Sequence, residues 1–117
     1  METPIPAESA LSVNDQRSSQ RKLLKVKAVL TVKGAPPLTV RTIDIGSNGV
    51  SLAFLQPLPI GLTGSLTIDL MVDGHLHALT AVVKATYCIF SNGFFKTGFQ
   101  FGTIDLEGRT ALAKFLR

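Results

Sequence analysis

Two arginines four residues apart precede the first segment with strand character, and an acidic, glycine-rich turn follows the second. The arginines are Arg17 and Arg21 in RSSQR, and the turn is DIGSNG, residues 44–49. An arginine side chain offers two parallel donors that match a phosphate or the O6/N7 edge of guanine. The carboxylate of Asp44 can accept two hydrogen bonds, and guanine's N1–H and exocyclic amino group are a fitting pair of donors. These residue types predict a site for a purine that carries phosphate.

The remaining residues of the turn add to this prediction. Gly46 and Gly49 leave room where a flat base would approach, and the exposed backbone N–H groups of such a turn can face an anion. Ser47 contributes its hydroxyl if the turn points that side chain inward. Arg41, on the strand that leads into the turn, is a further candidate, and an ordinary exposed strand arginine explains it equally well.

Positive charge is concentrated ahead of this turn. The chain has a formal net charge of +4, and residues 17–33 hold six of its twelve Lys and Arg residues and no acid. The six are Arg17, Arg21, Lys22, Lys25, Lys27 and Lys33. Such a span produces a local positive field that suits an anionic ligand. For the three lysines from Lys25 onward the alternative is a solvated strand face, because lysines also keep edge strands soluble.

Six segments with strand character must position these residues. From Lys25 apolar and polar residues alternate, with Val26, Ala28, Leu30 and Val32 on one face. Five more segments follow: LTVRTIDI (38–45), GVSLAF (49–54), SLTIDLMV (65–72), HLHALTAVVKATYCIF (75–90) and FFKTGFQF (94–101). Alternation with period two predicts half-buried strands. Asp73-Gly74 predicts a type I′ hairpin, Ser91-Asn92-Gly93 predicts the next turn, and the length of the fifth segment predicts a bulge or bend.

The last twelve residues change to a helical period. Asp105 is placed to cap a helix in which Leu112, Phe115 and Leu116 share one face. Hairpin-linked strands followed by one helix predict a mainly β fold, a small six-stranded antiparallel barrel with the C-terminal helix over an opening. Residues 1–16 show no periodicity and predict a flexible N-terminal arm, so the domain is expected over residues 17–117.

Composition limits the possible classes of protein. A chain of 117 residues with 45% hydrophobic and 17% charged residues fits one globular domain. The sequence contains no run of 18 apolar residues and no signal-peptide pattern, which predicts a cytoplasmic protein without membrane insertion. A single cysteine, Cys88, excludes an intrachain disulfide and a thiolate metal cluster. The sequence reaches Arg117 without a helix stop signal, which is typical of a piece of a longer protein.

The motifs resemble those of the PilZ domain, which carries RxxxR before its first strand and (D/N)xSxxG after its second and binds the bacterial messenger cyclic di-GMP. Residues 17–21 match the first motif in full. Residues 44–49 match the second except at the third position, where Gly46 stands in place of serine. Residues 98–117 also look like the end of PilZ domains, where an aromatic strand leads into a helix. The likeness runs from about residue 15 to residue 117.

The resemblance implies roles for the motif residues. Arg17 and Arg21 would grip the phosphates and the Hoogsteen edge of guanine, Asp44 would read guanine's donor edge, and Gly49 would shape the turn. Gln16 stands where the family tunes the number of messenger molecules bound.

Gly46 is the departure from the family pattern. The serine usual at this position bonds the ligand with its hydroxyl. Loss of one neutral hydrogen bond, worth roughly 0.5–1.5 kcal/mol, predicts an affinity about three- to tenfold weaker rather than no binding.

Other classes of function have less support. His75 and His77 lie two apart on one strand, but no acid–His cluster accompanies them, so exposed histidines explain them better than a metal site. No nucleophile elbow surrounds a serine, and no glycine-rich loop leads into a helix, so neither a catalytic site nor a cofactor is expected. DNA or RNA binding is not expected either, since the chain has no Trp and one Tyr to serve as stacking platforms.

The sequence therefore predicts a cyclic di-GMP receptor rather than an enzyme. In this hypothesis Arg17 and Arg21 lie on a segment with no structure of its own, the arm that carries them folds over the bound messenger, and the change is passed to a protein partner. The alternative is a degenerate PilZ-like module that acts through protein contacts without nucleotide.

Overall fold

The computed structural model describes residues 20–117, which form seven strands and one helix. The strands are β1 (Arg21–Leu23), β2 (Lys27–Thr31), β3 (Leu38–Gly46), β4 (Gly49–Phe54), β5 (Thr63–Val72), β6 (His75–Ser91) and β7 (Phe94–Ile104), and the helix is α1 (Leu106–Phe115). Within the described residues the molecule is therefore mainly β, as predicted. The predicted arm, residues 1–16, and the first motif arginine, Arg17, lie outside the described residues.

Six of these strands close into an antiparallel barrel, which confirms the predicted fold. Hydrogen-bonded neighbours follow the order β3, β2, β5, β6, β7, β4, and β4 also pairs with β3 to complete the ring. β1 pairs with the second half of β3, where Arg21 stands opposite Gly46 and Leu23 opposite Asp44. β2 pairs with the first half of the same strand. The sequence missed β1 because its three residues are all exposed and carry no alternation of apolar and polar side chains.

The barrel interior is filled by the apolar positions that the alternation predicted. On β5, Leu66, Ile68 and Leu70 are fully buried and Val72 is nearly so. Burying such a side chain contributes roughly 1.5–3 kcal/mol relative to leaving it exposed, so these strands are stabilised mainly by their inner face. The alternating face of β2 is likewise buried and continues back to Leu24, ahead of the strand.

Turns and bulges follow the local sequence. Both residues of Asp73-Gly74 have positive φ (52° and 79°), and so do both residues of Asn92-Gly93 (55° and 85°), as the predicted tight hairpins require. The long strand β6 shifts register against β7 twice, between 81 and 83 and between 85 and 87, which confirms the predicted bulge.

Helix α1 is capped and docked as its sequence indicated. The Asp105 carboxylate accepts a hydrogen bond from the backbone N–H of Gly108 (3.2 Å) and another from that of Thr80 on β6 (3.0 Å). The helix packs against β5 and β6 and buries Ala111 and Leu112. Within residues 20–117, no helix has the length and apolar character needed to cross a membrane.

Candidate functional site

Asp44 is placed on the outer surface of the barrel by a bulge in β3. The register between β3 and β4 shifts between Thr42 and Asp44, so that Thr42 stands opposite Leu52 and Asp44 opposite Ser51. An extra residue in one strand re-aims the side chains that follow it. Thr42 consequently points inward and is 3% exposed, whereas the carboxylate of Asp44 reaches the side chains of neighbouring strands.

Two cations contact the carboxylate of Asp44. Arg21 Nη2 lies 2.6 Å and Arg21 Nε 3.2 Å from Oδ1, which makes a hydrogen-bonded ion pair between β1 and β3. Lys96 Nζ, on β7, lies 3.6 Å from Oδ2. The pairing of β1 with β3 brings Arg21 to this position, since Arg21 stands opposite Gly46, two residues beyond Asp44. The prediction that Arg21 lies on a segment with no structure of its own is wrong, because Arg21 begins strand β1.

Burial and the neighbouring groups act on Asp44 in opposite directions. Partial burial tends to raise the pKa of its carboxyl group. Hydrogen bonds from Arg21 and Ser51 and the positive charges of Arg21 and Lys96 outweigh that effect, so the pKa of Asp44 lies below its usual value. The carboxylate is therefore charged at neutral pH, with Oδ1 bound by Arg21 and Oδ2 beside Lys96.

The lowered pKa of Asp44 predicts a pH-dependent contribution to stability. A carboxyl group whose folded-state pKa is depressed stabilises the fold above its unfolded pKa, and this is lost as pH falls through the folded pKa. Because Arg21 is 41% exposed, we expect the free energy of unfolding of wild type to exceed that of Asp44→Asn by only about 0.5–1 kcal/mol at pH 6. The difference should decline below about pH 4. Urea unfolding from pH 6 to 2.5 measures it, with Asp69→Asn on β5 as the control for removing one carboxylate. A difference that stays constant over this range would contradict the ion-pair explanation.

A cleft of about 260 Å³ opens beside the ion pair. The turn between β3 and β4 and the facing parts of β6 and β7 form most of its walls. Its lining residues are Arg21, Asn48, Gly49, Val50, Thr86, Tyr87, Gly98, Phe99 and Gln100. The cleft combines a guanidinium group with the ring of Tyr87, which is 37% exposed. An aromatic ring offers a stacking face to any nucleobase, and the guanidinium offers donors to an anion, so both parts of a nucleotide find a partner here.

The structure brings some of the predicted site residues together and separates others. Arg21, Asp44 and Gly46 are neighbours across the β1–β3 pair, and Gly49 lines the cleft. Ser47 is exposed in the turn between them. Arg41 is exposed on β3 opposite Lys27 and Ala53 and does not line the cleft. Gln16 and Arg17 lie outside the described residues, so their predicted roles stay predictions.

Sequence reasoning missed three residues that complete the surroundings of Asp44. Ser51 Oγ lies 3.0 Å from Tyr87 Oη and accepts a hydrogen bond of 3.4 Å from Arg21 Nη2, while Lys96 contacts Asp44. They stand on β4, β6 and β7, and their proximity depends on registers that two bulges alter. The sequence carried one signal, since Ser51 is a polar residue inside the apolar strand GVSLAF. The structure shows that Ser51 is fully buried. A buried hydroxyl needs a hydrogen-bond partner, which pointed to polar neighbours at this position.

Lys22, the neighbour of Arg21 on β1, contacts the other end of the chain. Its ammonium group donates to the backbone oxygens of Phe115 (2.9 Å) and Arg117 (3.2 Å), at the C-terminal end of α1. The same Nζ lies 5.6 Å from the centre of the Phe115 ring, within the range of a cation–π contact. β1 therefore contacts the candidate site through one side chain and the helix through the next.

The histidines do not form a metal centre in the part of the chain that the structure describes. There, no group of three or more His, Cys, Asp or Glu side chains is placed to hold a metal ion. His77 Nδ1 lies 3.7 Å from Glu107 Oε2 on α1. His75 is exposed near the hairpin turn.

Comparison with known families and structures gives a consistent result. The family model described as the PilZ domain matches residues 15–117, and no curated protein matches the sequence. Among solved structures, the Bacillus subtilis inhibitor of motility MotI/DgrA shares 13% identity at a TM-score of 0.74, over 85% of this chain and 48% of that chain. The PilZ domain of CeSA from a cellulose-synthesizing bacterium shares 16% identity at a TM-score of 0.53, over 83% of this chain and 94% of that chain.

A third similar structure is described as a complex with a dinucleotide. The K. pneumonia MrkH–c-di-GMP complex shares 18% identity with this chain at a TM-score of 0.61. The likeness covers 89% of this chain and 52% of that chain. The chain thus spans about half of the length of MotI/DgrA and of MrkH. At these identities the likeness shows a common fold.

Proposed function

The chain belongs to the PilZ domain family, whose model covers residues 15–117, and on that premise we propose that it is a receptor for cyclic di-GMP. The observation that carries the proposal is the contact between Arg21 and Asp44. These residues belong to two motifs 23 positions apart, and the fold places their side chains 2.6 Å from each other beside a cleft. The arrangement offers a donor fork for phosphate or guanine, a charged acceptor pair and an aromatic face within one surface region.

In the proposed complex the dinucleotide lies on the outer surface of the barrel. One guanine base enters the cleft against Tyr87, and Asp44 accepts hydrogen bonds from its N1–H and amino group. Arg21 and Arg17 bind the phosphates and the Hoogsteen edge of a base. A cleft of about 260 Å³ is smaller than the roughly 300–1,000 Å³ of pockets that enclose drug-sized ligands. The messenger therefore remains partly outside the cleft, where Arg17 is proposed to reach it.

The proposal includes a change of conformation and its transmission. Residues 1–16, proposed as an arm ahead of a domain over residues 17–117, close over the bound messenger, and the altered surface is read by a protein partner in the cytoplasm. The proposed role is that of a receptor module without catalytic residues. MrkH, which shares the fold, is described as a complex with c-di-GMP, and this supports the choice of ligand.

Calorimetric titration of cyclic di-GMP into the protein, with GTP as the control nucleotide, tests the proposal. We expect heat of binding with a micromolar or lower Kd for the dinucleotide and none for GTP, and the titration also gives the ligand-to-protein ratio. Amide exchange of residues 10–22, measured with and without the dinucleotide, tests the closing of the arm; unchanged exchange would refute that part. A folded protein that gives no heat would indicate a degenerate PilZ-like module that acts through protein contacts.

A further inference from the structure

Both carboxylate oxygens of Asp44 have cationic neighbours within the protein. Arg21 donates two hydrogen bonds to Oδ1, and Lys96 lies 3.6 Å from Oδ2. A guanine base that presents its N1–H and amino group needs the same two oxygens as acceptors. The base and Arg21 therefore compete for Asp44. Arg21, which the motif assigns to the ligand, therefore also neutralises the carboxylate of Asp44, which would bind the base.

The close approach of Arg21 depends on the absence of a side chain at position 46. Gly46 and Arg21 stand opposite each other in the β1–β3 pair. A Cβ built on Gly46 would lie 3.0 Å from the backbone oxygen of Gln20 and 3.1 Å from both Cγ and Nη1 of Arg21. Contacts this short force the neighbouring atoms to move by a few tenths of an ångström. All three atoms belong to β1 or to the residue before it, so a side chain here displaces β1 and leaves the barrel in place.

We propose that Gly46 sets the affinity of this receptor by allowing β1 to pair closely with β3, so that Arg21 occupies the carboxylate of Asp44 in competition with the ligand. This inference rests on the proposed function. Closure of the β1–β3 pair lowers the fraction of molecules in which Asp44 is accessible to the base. Apparent affinity falls in proportion to that fraction, because only the competent population binds. Gly46 is thus a positioning residue that acts through Arg21.

Substitution of Gly46 distinguishes this explanation from the simple loss of a hydroxyl. If glycine weakens binding only because it lacks the hydroxyl of serine, Gly46→Ser tightens binding and Gly46→Ala does not. If glycine weakens binding by letting Arg21 close on Asp44, alanine tightens binding as well, since its methyl group is enough to displace β1. Alanine adds no hydrogen-bonding group, so its effect reports on the displacement alone.

The binding experiment uses cyclic di-GMP and four proteins: wild type, Gly46→Ala, Gly46→Ser and the control Gly102→Ala. Gly102 is an exposed strand glycine where a new Cβ would meet its nearest neighbour at an ordinary 3.4 Å. We expect Gly46→Ala to bind about two- to fivefold more tightly than wild type, as the release of a partly exposed ion pair allows. Gly46→Ser should bind at least as tightly as Gly46→Ala, and Gly102→Ala should equal wild type. Unchanged or weaker binding by Gly46→Ala would overturn the proposal.

A second measurement needs no nucleotide. The backbone amide of Leu24, directly after β1, donates to Ile43 O on β3 (3.0 Å), and the amide of Lys22, two residues earlier, faces the same strand. The hydrogen exchange of these two amides reports on the pairing of β1 with β3. Gly46→Ala should accelerate their exchange, while the exchange of β5 amides and the melting temperature stay close to those of wild type. Equal exchange in the two proteins would show that Gly46 does not hold β1 in place. If wild type binds no dinucleotide, the proposed function fails, and the exchange result still decides whether Gly46 controls the β1–β3 pair.

Discussion

Arg21→Ala is expected to weaken binding of cyclic di-GMP about 30- to 150-fold, which corresponds to a loss of about 2–3 kcal/mol. The substitution removes a guanidinium group that the motif assigns to the phosphates and that lines the cleft. It also frees Asp44 from its ion pair, which returns part of the lost affinity by the competition described above. The net effect remains a large loss, because a charge-assisted contact to the ligand contributes more than release of a partly exposed ion pair.

Calorimetry of the variant against wild type measures this effect. Arg109→Ala is the matched control, since Arg109 is an exposed arginine on α1 and is not among the residues that line the cleft. The control removes the same charge from the protein and should leave the Kd unchanged. Arg21 is itself exposed, so its loss should not unfold the barrel, and a thermal melt verifies this. A variant that binds as tightly as wild type would remove Arg21 from the site.

Gly49→Ala is expected to destabilise the fold by about 3 kcal/mol. Gly49 begins β4 and stands opposite Gln100 on β7. A Cβ at this position would lie 2.2 Å from the backbone oxygen of Phe99, a distance that no relaxation of a side chain can relieve. The two strands would have to separate where β4 links β7 to β3 in the closed barrel. Overpacking against a well-ordered core costs about 1–3 kcal/mol, and the contact with backbone places this site at the upper end.

The melting temperature measures the loss at position 49. For a domain of about 100 residues, 3 kcal/mol corresponds to a decrease of roughly 12–24 °C. Gly102→Ala, which makes the same chemical change on the neighbouring strand with room for the methyl group, should melt near wild type. The glycine that ends the second motif would then be required for strand packing, in addition to any role in shaping the turn. An unchanged melting temperature for Gly49→Ala would refute the packing argument.

The barrel could be predicted because the sequence signals for its strands and hairpin turns are local. Alternation assigned Leu66, Ile68 and Leu70 to the interior, and the two Asx-Gly pairs at 73–74 and 92–93 marked hairpins that the positive φ values confirm. β1 could not be predicted, because it forms by pairing with β3 and has no apolar face of its own. Short edge strands of this kind are visible only once the partner strand is in place.

The candidate site was predictable in its two motif residues, Arg21 and Asp44, and not in its surroundings. Arg21 and Asp44 stand out by residue type and spacing. Tyr87 and Lys96 join them only through the registers of β4, β6 and β7, and bulges in β3 and β6 change those registers by one residue. A shift of one residue moves every later side chain to the other face, so period alone could not place these two residues.

Lys22 gives β1 a second role that concerns the electrostatics of the helix end. The last carbonyl groups of an α-helix carry partial negative charge and lack partners within the helix, and a cation placed there stabilises the final turn. Lys22 supplies that cation by donating to the oxygens of Phe115 and Arg117. A displacement of β1 from β3 would therefore withdraw the cap from the last turn of α1 and favour fraying at the helix terminus. If the proposed receptor function holds, the order of that turn would report whether Arg21 is paired with Asp44 or with the messenger.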